Sequence, residues 1–302
     1  MSAKSNPGHD AVLARGLFAA HRWLIFRRLS QIGFLALFLI GPLTGYYIVK
    51  GSIASSLTFD ILPLTDPYIL LQSWTAGHAI NTTALIGALI VLTVYLLIGG
   101  RVYCSWVCPV NIITDTAHWV RTRLGIQGGI KFSRNVRYWM LGMTLIVALA
   151  TGILVWELVN PVTMIYRGLI FGVGWAWGAI AALFLFDLFV SERGWCSHLC
   201  PVGAFYGILG KLAVLRVRAT RREDCNDCMD CYAVCPEQQV ISPALKGEKY
   251  GAGPLINAGA CTNCGRCIDV CALKVFEFSS RFSGPTTPIQ HPVTEPQLKK
   301  VA

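Results

Sequence analysis

Four long apolar runs, residues 29–49, 79–99, 138–158 and 169–190, dominate the first two-thirds of the chain, and none contains Lys or Arg. Each has the ~20 residues a helix needs to cross about 30 Å of hydrocarbon, and four such runs are more than a soluble core ordinarily buries. The pattern predicts four membrane-spanning helices, the first kinked at Pro42, which membrane helices tolerate when neighbouring groups satisfy the freed carbonyl. Beyond residue 220 the apolar runs give way to polar, Cys-rich sequence. From about residue 279 Pro, Thr and Ser prevail with little apolar content, the composition of a disordered tail. The predicted organisation is an N-terminal segment 1–28, a transmembrane domain 29–190, a juxtamembrane stretch 191–219, a compact domain 220–278 and a disordered tail 279–302.

Composition agrees with that division. The 302-residue chain is 54% hydrophobic and only 14% charged, against about a quarter charged in soluble proteins. Its net charge of +10 suggests nucleic acid until the positions are read. Five of 26 Lys and Arg lie in residues 1–28, six in 100–137 and six in 191–222, while 50–78 and 159–168 carry one each. This alternation is topological and gives no nucleic-acid stripe. Positive segments stay cytoplasmic, so both termini and the Cys-rich domain are predicted inside, and 50–78 and 159–168 outside, a multi-pass bacterial inner membrane. The first run is too long for a signal-peptide core of about 7–15 residues, despite Ser52-Ile53-Ala54 after it.

Twelve cysteines in a reducing compartment point to metal ligation. Cys225-x-x-Cys228-x-x-Cys231-x-x-x-Cys235-Pro236 recurs as Cys261-x-x-Cys264-x-x-Cys267-x-x-x-Cys271, without the final proline. This is the spacing of bacterial two-cluster ferredoxins, in which three thiolates of a tight loop hold one cubane and the fourth cysteine reaches the other. The predicted ligand sets are Cys225, Cys228, Cys231 and Cys271 for one [4Fe–4S] cluster, and Cys261, Cys264, Cys267 and Cys235 for the second. Zinc, which takes closed four-thiolate sites, fits a triple Cys run with a trailing Cys-Pro poorly.

A second pair of repeats, Tyr103-Cys104-Ser105-Trp106-Val107-Cys108-Pro109-Val110 and Trp195-Cys196-Ser197-His198-Leu199-Cys200-Pro201-Val202, follows the predicted inner ends of the second and fourth spans. In a helix, i and i+4 share a face, and the common depth predicts that the motifs meet. Packing as small hydrophobes would not reproduce Cys-x-x-x-Cys-Pro-Val twice; a third redox or metal centre, or redox-active dithiols, are the readings for Cys104, Cys108, Cys196 and Cys200.

Together with Pro63-Leu64-Thr65-Asp66-Pro67, Leu71-Gln72 and Gly77-His78, these motifs resemble the NapH family, the ferredoxin-type membrane subunit of periplasmic nitrate reductase systems. Relatives in nitrous oxide, methylamine and cytochrome oxidase biogenesis systems share the Cys motifs on longer or differently appended chains. The resemblance implies an α-helical membrane protein of four spans with a C-terminal two-cluster ferredoxin-like α+β domain. It also implies a component of a quinol dehydrogenase, an electron-transfer subunit rather than a stand-alone enzyme. Electrons from membrane quinol would pass toward a periplasmic nitrate reductase, with a periplasmic ferredoxin-type subunit and a membrane-anchored multihaem cytochrome as partners. The alternative is a membrane-bound maturation factor supplying reducing power to a partner metalloenzyme. No Cys-x-x-Cys-His haem site or nucleotide fingerprint is present.

A quinol site pairs an apolar cleft with a proton acceptor. The candidates by position are His78, Glu157 and Asp187, since intramembrane carboxylates are functional hypotheses by default. Trp74, Trp156, Trp175 and Trp177 read as an interfacial aromatic belt; His118 and His198, beside the inner motifs, are candidate ligands but read rather as solvated loop histidines. Asp224, Asp227 and Asp230 near the first ferredoxin run, against Arg266 and Lys274 near the second, predict unequal cluster potentials.

Overall fold

The computed structural model describes residues 7–283 except 127, 131 and 173. It is mostly helical, with a small α+β unit at the C-terminal end. Helices α1 (His9–Arg15) and α2 (Leu17–Thr44) open the chain. Only α2, of 28 residues, is by itself long and apolar enough to cross a membrane among the described residues. The other predicted spans appear as shorter apolar helices, α4 (Thr82–Ile98), α6 (Val136–Thr151) and α9 (Gly174–Leu185). A π-helical turn, Phe186–Val190, extends α9. Pro42 does not kink the middle of α2: it sits in its last turn, and the helix stops at Thr44 with Gly45 left-handed, the conformation that costs glycine least.

The segments 50–78 and 159–168, which charge counting places outside, fold back between the helices. Strands β1 (Val49–Gly51), β2 (Ser55–Thr58) and β3 (Leu62–Thr65) form an antiparallel meander. β3 lies so close on α4 that a Cβ at Gly87 would stand 3.0 Å from the Thr65 nitrogen. Asp66 then caps α3 (Pro67–Thr75), which runs along α6, where the Tyr68 hydroxyl meets Thr144 Oγ1 at 2.8 Å. In the second half, α7 (Val155–Val159) leads to α8 (Pro161–Phe171), capped by Asn160. Both caps are followed by Pro at the first helical position, where its missing N–H is not needed. Asp66-Pro67 and Asn160-Pro161 are thus equivalent points of an internal duplication.

Each half next forms a π-helical turn at its Cys motif, Tyr103–Val107 and Trp195–Leu199, and a helix behind the proline, α5 (Val110–Arg123) and α10 (Pro201–Gly210). The ferredoxin-like unit begins earlier than predicted, at β4 (Leu215–Ala219), which pairs antiparallel with β5 (Phe276–Ser280). α11 (Asp230–Val234), α12 (Ile241–Lys246) and α13 (Arg266–Val270) complete it around Val217, Val240, Ile241, Ile256, Val275 and Phe276. Ser279 and Ser280 belong to β5, so the first residues of the tail predicted from 279 are in a strand; residues 284–302 of that predicted tail lie outside the described residues.

Candidate redox site

In the ferredoxin-like unit the two Cys runs fold alike. Asp227 and Met229 in the first, and Asn263 and Gly265 at the same positions of the second, have positive φ, so each loop turns tightly round its thiols. Cys225, Cys228, Cys231 and Cys271 line one hollow of about 380 Å³, open mouth included. Four thiols set round a space, with no three Cys, His, Asp or Glu side chains among the described residues gathered as one ion requires, suit a cubane better than a single zinc. Burial, with Cys228, Cys271 and Cys225 adding to it, raises the Cys231 thiol to about 12. Burial likewise raises Cys235, with Cys264 and Cys261 the neighbouring thiols that add to it, and Cys267, with Cys264, Cys261 and Cys235. The fourth cysteine of each run therefore stands with the other run.

The second set is pressed against the two π-turns. The Ser105 hydroxyl donates to the Thr262 carbonyl at 2.7 Å, and the Ser197 hydroxyl to the Pro236 carbonyl at 3.3 Å. Thr262 and Pro236 adjoin Cys261 and Cys235, so both halves of the duplication grip the same cysteine set. Each half also supplies an arginine three residues before its first motif cysteine. Arg101 donates to the carbonyls of Ala260 and Cys196, both at 3.0 Å, and pairs with Glu237 at 2.6 Å; Arg193 donates to the Val234 carbonyl at 3.3 Å. These arginines escaped the sequence reading, although the repeat contains them.

On the other side of the π-turns lies a cavity of about 710 Å³, its mouth included, lined by Cys104, Cys108, Cys196 and Cys200 together. The two motifs meet as predicted. Its walls are mostly apolar and aromatic, among them Ile69, Tyr103, Trp156 and Trp195, and Ser52, Ile53, Ala54 and Tyr166 also line it. Asp66 is its carboxylate. Asp66 Oδ1 accepts from the Tyr68 N–H at 2.9 Å and the Tyr206 hydroxyl at 3.0 Å. Burial raises its carboxyl to about 6, those two bonds act against the rise, and Glu157 adds to it.

The predicted proton acceptors fare differently. His78 is exposed and away from the cavity. Asp187 is fully buried and its Oδ1 accepts from the Trp195 N–H at 3.0 Å, holding the second π-turn. Glu157 comes near: Asn160 Nδ2 and Thr163 Oγ1, both of residues lining the cavity, donate to it at 2.9 Å. Trp156 is no belt residue; it is buried and stacked on Trp195 at 6.5 Å, whereas Trp74, Trp175 and Trp177 are exposed. His118 pairs with Glu192 at 3.2 Å and His198 packs near Phe132, so neither is a solvated loop residue, and neither lines the cavity.

Known families reproduce this division. A 4Fe-4S binding domain family matches residues 80–127 and again 173–222, and a 4Fe-4S dicluster domain family matches 224–275. The ferredoxin-type protein NapH of Escherichia coli (strain K12) is 46% identical over 93% of this chain and 97% of its own length. This chain belongs to the NapH family of ferredoxin-type proteins. The methylamine utilization ferredoxin-type protein MauN of Paracoccus denitrificans (strain Pd 1222) is in the same family, 54% identical over 90% of this chain. Because 95% of MauN is covered, the methylamine relative is not the longer or differently appended chain expected from the sequence. No solved structure matches. The family and its domains make this an iron–sulfur electron-transfer protein of ferredoxin type.

Proposed function

We propose that the chain is a four-span inner-membrane subunit that takes electrons from quinol and passes them through two [4Fe–4S] clusters toward a partner reductase. The carrying observation is the double grip of Ser105 and Ser197 on the backbone beside Cys261 and Cys235, which seats one cysteine set directly behind the cysteine cavity. Cys235, Cys261, Cys264 and Cys267 would hold the inner cluster, and Cys225, Cys228, Cys231 and Cys271 the distal one; bound clusters supply one-electron carriers. Cys104, Cys108, Cys196 and Cys200 are assigned to the electron path between cavity and inner cluster. Multi-pass insertion is supported by large apolar side chains exposed on α4, α6 and α9, such as Leu89, Leu97, Trp139, Leu149, Trp175 and Leu185; water would not tolerate so continuous an apolar belt.

The resemblance to NapH points the electrons at a periplasmic nitrate reductase, by way of a periplasmic ferredoxin-type subunit and a multihaem cytochrome. The higher identity to MauN, 54% against 46%, favours a second destination, a methylamine-utilisation system, for the same relay. The test of the relay is quinol-dependent cluster reduction, followed by EPR in anaerobic membranes. Reduction on the turnover timescale is expected; its absence in protein containing iron and acid-labile sulfide would leave the maturation role.

A further inference from the structure

The cysteine cavity has the attributes of a site for a flat, apolar, hydroxyl-bearing molecule. Aromatic rings from both halves wall it, and Lys and Arg are missing from its lining. The duplication sets Asp66 and Asn160 at equivalent points of that wall, each capping a helix through Oδ1, to Tyr68 N–H at 2.9 Å and Val162 N–H at 3.1 Å. They differ in their remaining atoms. Asn160 spends its Nδ2 on Glu157, whereas the Asp66 carboxylate, bonded by the Tyr68 and Ile69 N–H groups and the Tyr206 hydroxyl, is an acceptor only. Capping would be served by either residue type, so the acid at position 66 is more than the helix requires.

We infer that the cavity binds the head group of a quinol between the two halves of the duplication, with the Asp66 carboxylate as the hydrogen-bond acceptor of one quinol hydroxyl. This rests on the quinol reading above and replaces His78 and Asp187 as the residues that meet the substrate. A carboxylate accepts only, so it favours the hydroxyl of the reduced form over the carbonyl of the oxidised form. The titratable groups facing Asp66 are Tyr68 of α3, Tyr95 of α4, Tyr103 and Cys104 of the first π-turn, Glu157 of α7 and Tyr206 of α10. None is a cation, so Asp66 loses its preference for the hydroxyl when it is itself protonated as the pH falls through about 6.

The experiment is binding of menadiol and menadione to the full chain in nanodiscs, anaerobically, read by quenching of tryptophan fluorescence, for wild type, Asp66→Asn and Ala54→Trp. Asn keeps the cap, as Asn160 does, so Asp66→Asn should fold; cluster absorbance checks this. Wild type should prefer menadiol at pH 7.5 and lose that preference below pH 6. Asp66→Asn should bind menadiol about 10-fold more weakly, hold menadione as well or better, and show no pH dependence. Ala54→Trp, on the cavity lining, should weaken both. Asp66→Asn with unchanged preference and pH profile would overturn the assignment of Asp66, and wild-type binding in Ala54→Trp would overturn the cavity. Wild type that neither binds menadiol nor is reduced by it would instead sink the quinol reading itself.

Discussion

Glu237, next to Pro236, is buried with Arg101 at 2.6 Å and Arg137 at 3.0 Å, and Asp115 of α5 is enclosed by Arg27, Arg28 and Arg193. Removing one member of a buried ionic group leaves the others unpaired, at about 3–5 kcal/mol. Glu237→Ala should therefore lower the thermal stability of the detergent-solubilised protein far more than Glu223→Ala on the surface, as differential scanning fluorimetry would show. Burial opposes ionisation of Asp115, but Arg193, Arg27 and Arg28 outweigh it and hold its carboxyl below the ordinary range. A depressed carboxylate stabilises fully above its unfolded value of about 3.9. That contribution is lost as pH falls through the lowered folded value. Asp115→Asn should thus be much less stable than wild type at pH 7, with the gap narrowing toward pH 3. The sequence carried part of this: Arg101 and Arg193 repeat with the cysteines they precede, yet their acidic partners lie up to 136 residues away, and no local spacing announces them. Asp66 stood in a motif read as external, because counting Lys and Arg sorts segments into sides and cannot show that one returns between helices.

Among the elements, α10 does most to fix the site. It lies between Gly100 and Gly259, where a Cβ would come 2.1 Å from the Tyr206 carbonyl and 2.0 Å from the Gly207 carbonyl respectively. Gly100→Ala must push α10 off the first Cys turn, a kind of overpacking that costs about 1–3 kcal/mol or more. Loss of cluster absorbance at a lower temperature than wild type would register it; an unchanged transition would mean that α10 can shift freely. The helices themselves were legible from apolar runs, but their ends were not. α4, α6 and α9 were shortened by the cap at Asn81, by left-handed Gly152 and by α8, which runs on to left-handed Gly172. In the second half, α7 took over the end of a predicted span because Trp156 found Trp195 and Tyr68 as partners. Tertiary return outweighed the continuity of the hydropathy.

At the scale of the whole molecule, the two cysteine sets lie in unlike surroundings. The distal set borders solvent at exposed Cys228, with Asp227 paired to Lys246 at 2.7 Å; the inner set is enclosed by both π-turns. Redox titration should resolve two potentials, since exposure and neighbouring charge tune them, and a single potential would contradict the asymmetry. Cys235→Ala, although in the first run, should spare the same EPR signal as Cys261→Ala and lose the one that Cys271→Ala retains. The ferredoxin spacing predicts this crossing, whereas the seating of one set against the two π-turns was not legible, being decided by two serine hydroxyls.

The far end of the chain also closes on its beginning. Asp269 of α13 accepts from the Trp23 and Leu24 N–H groups at 3.1 and 3.0 Å, Arg15 donates to the Ile268 and Asp269 carbonyls, and a Cβ at Gly265 would strike Trp23. During synthesis α2 leaves the ribosome well over two hundred residues before Asp269 does. The polar groups of Arg15 and Trp23 must wait without these partners through synthesis of every intervening helix. The latch between first helix and last closes only on a finished polypeptide, so translation that stops early leaves the first helix without its clasp.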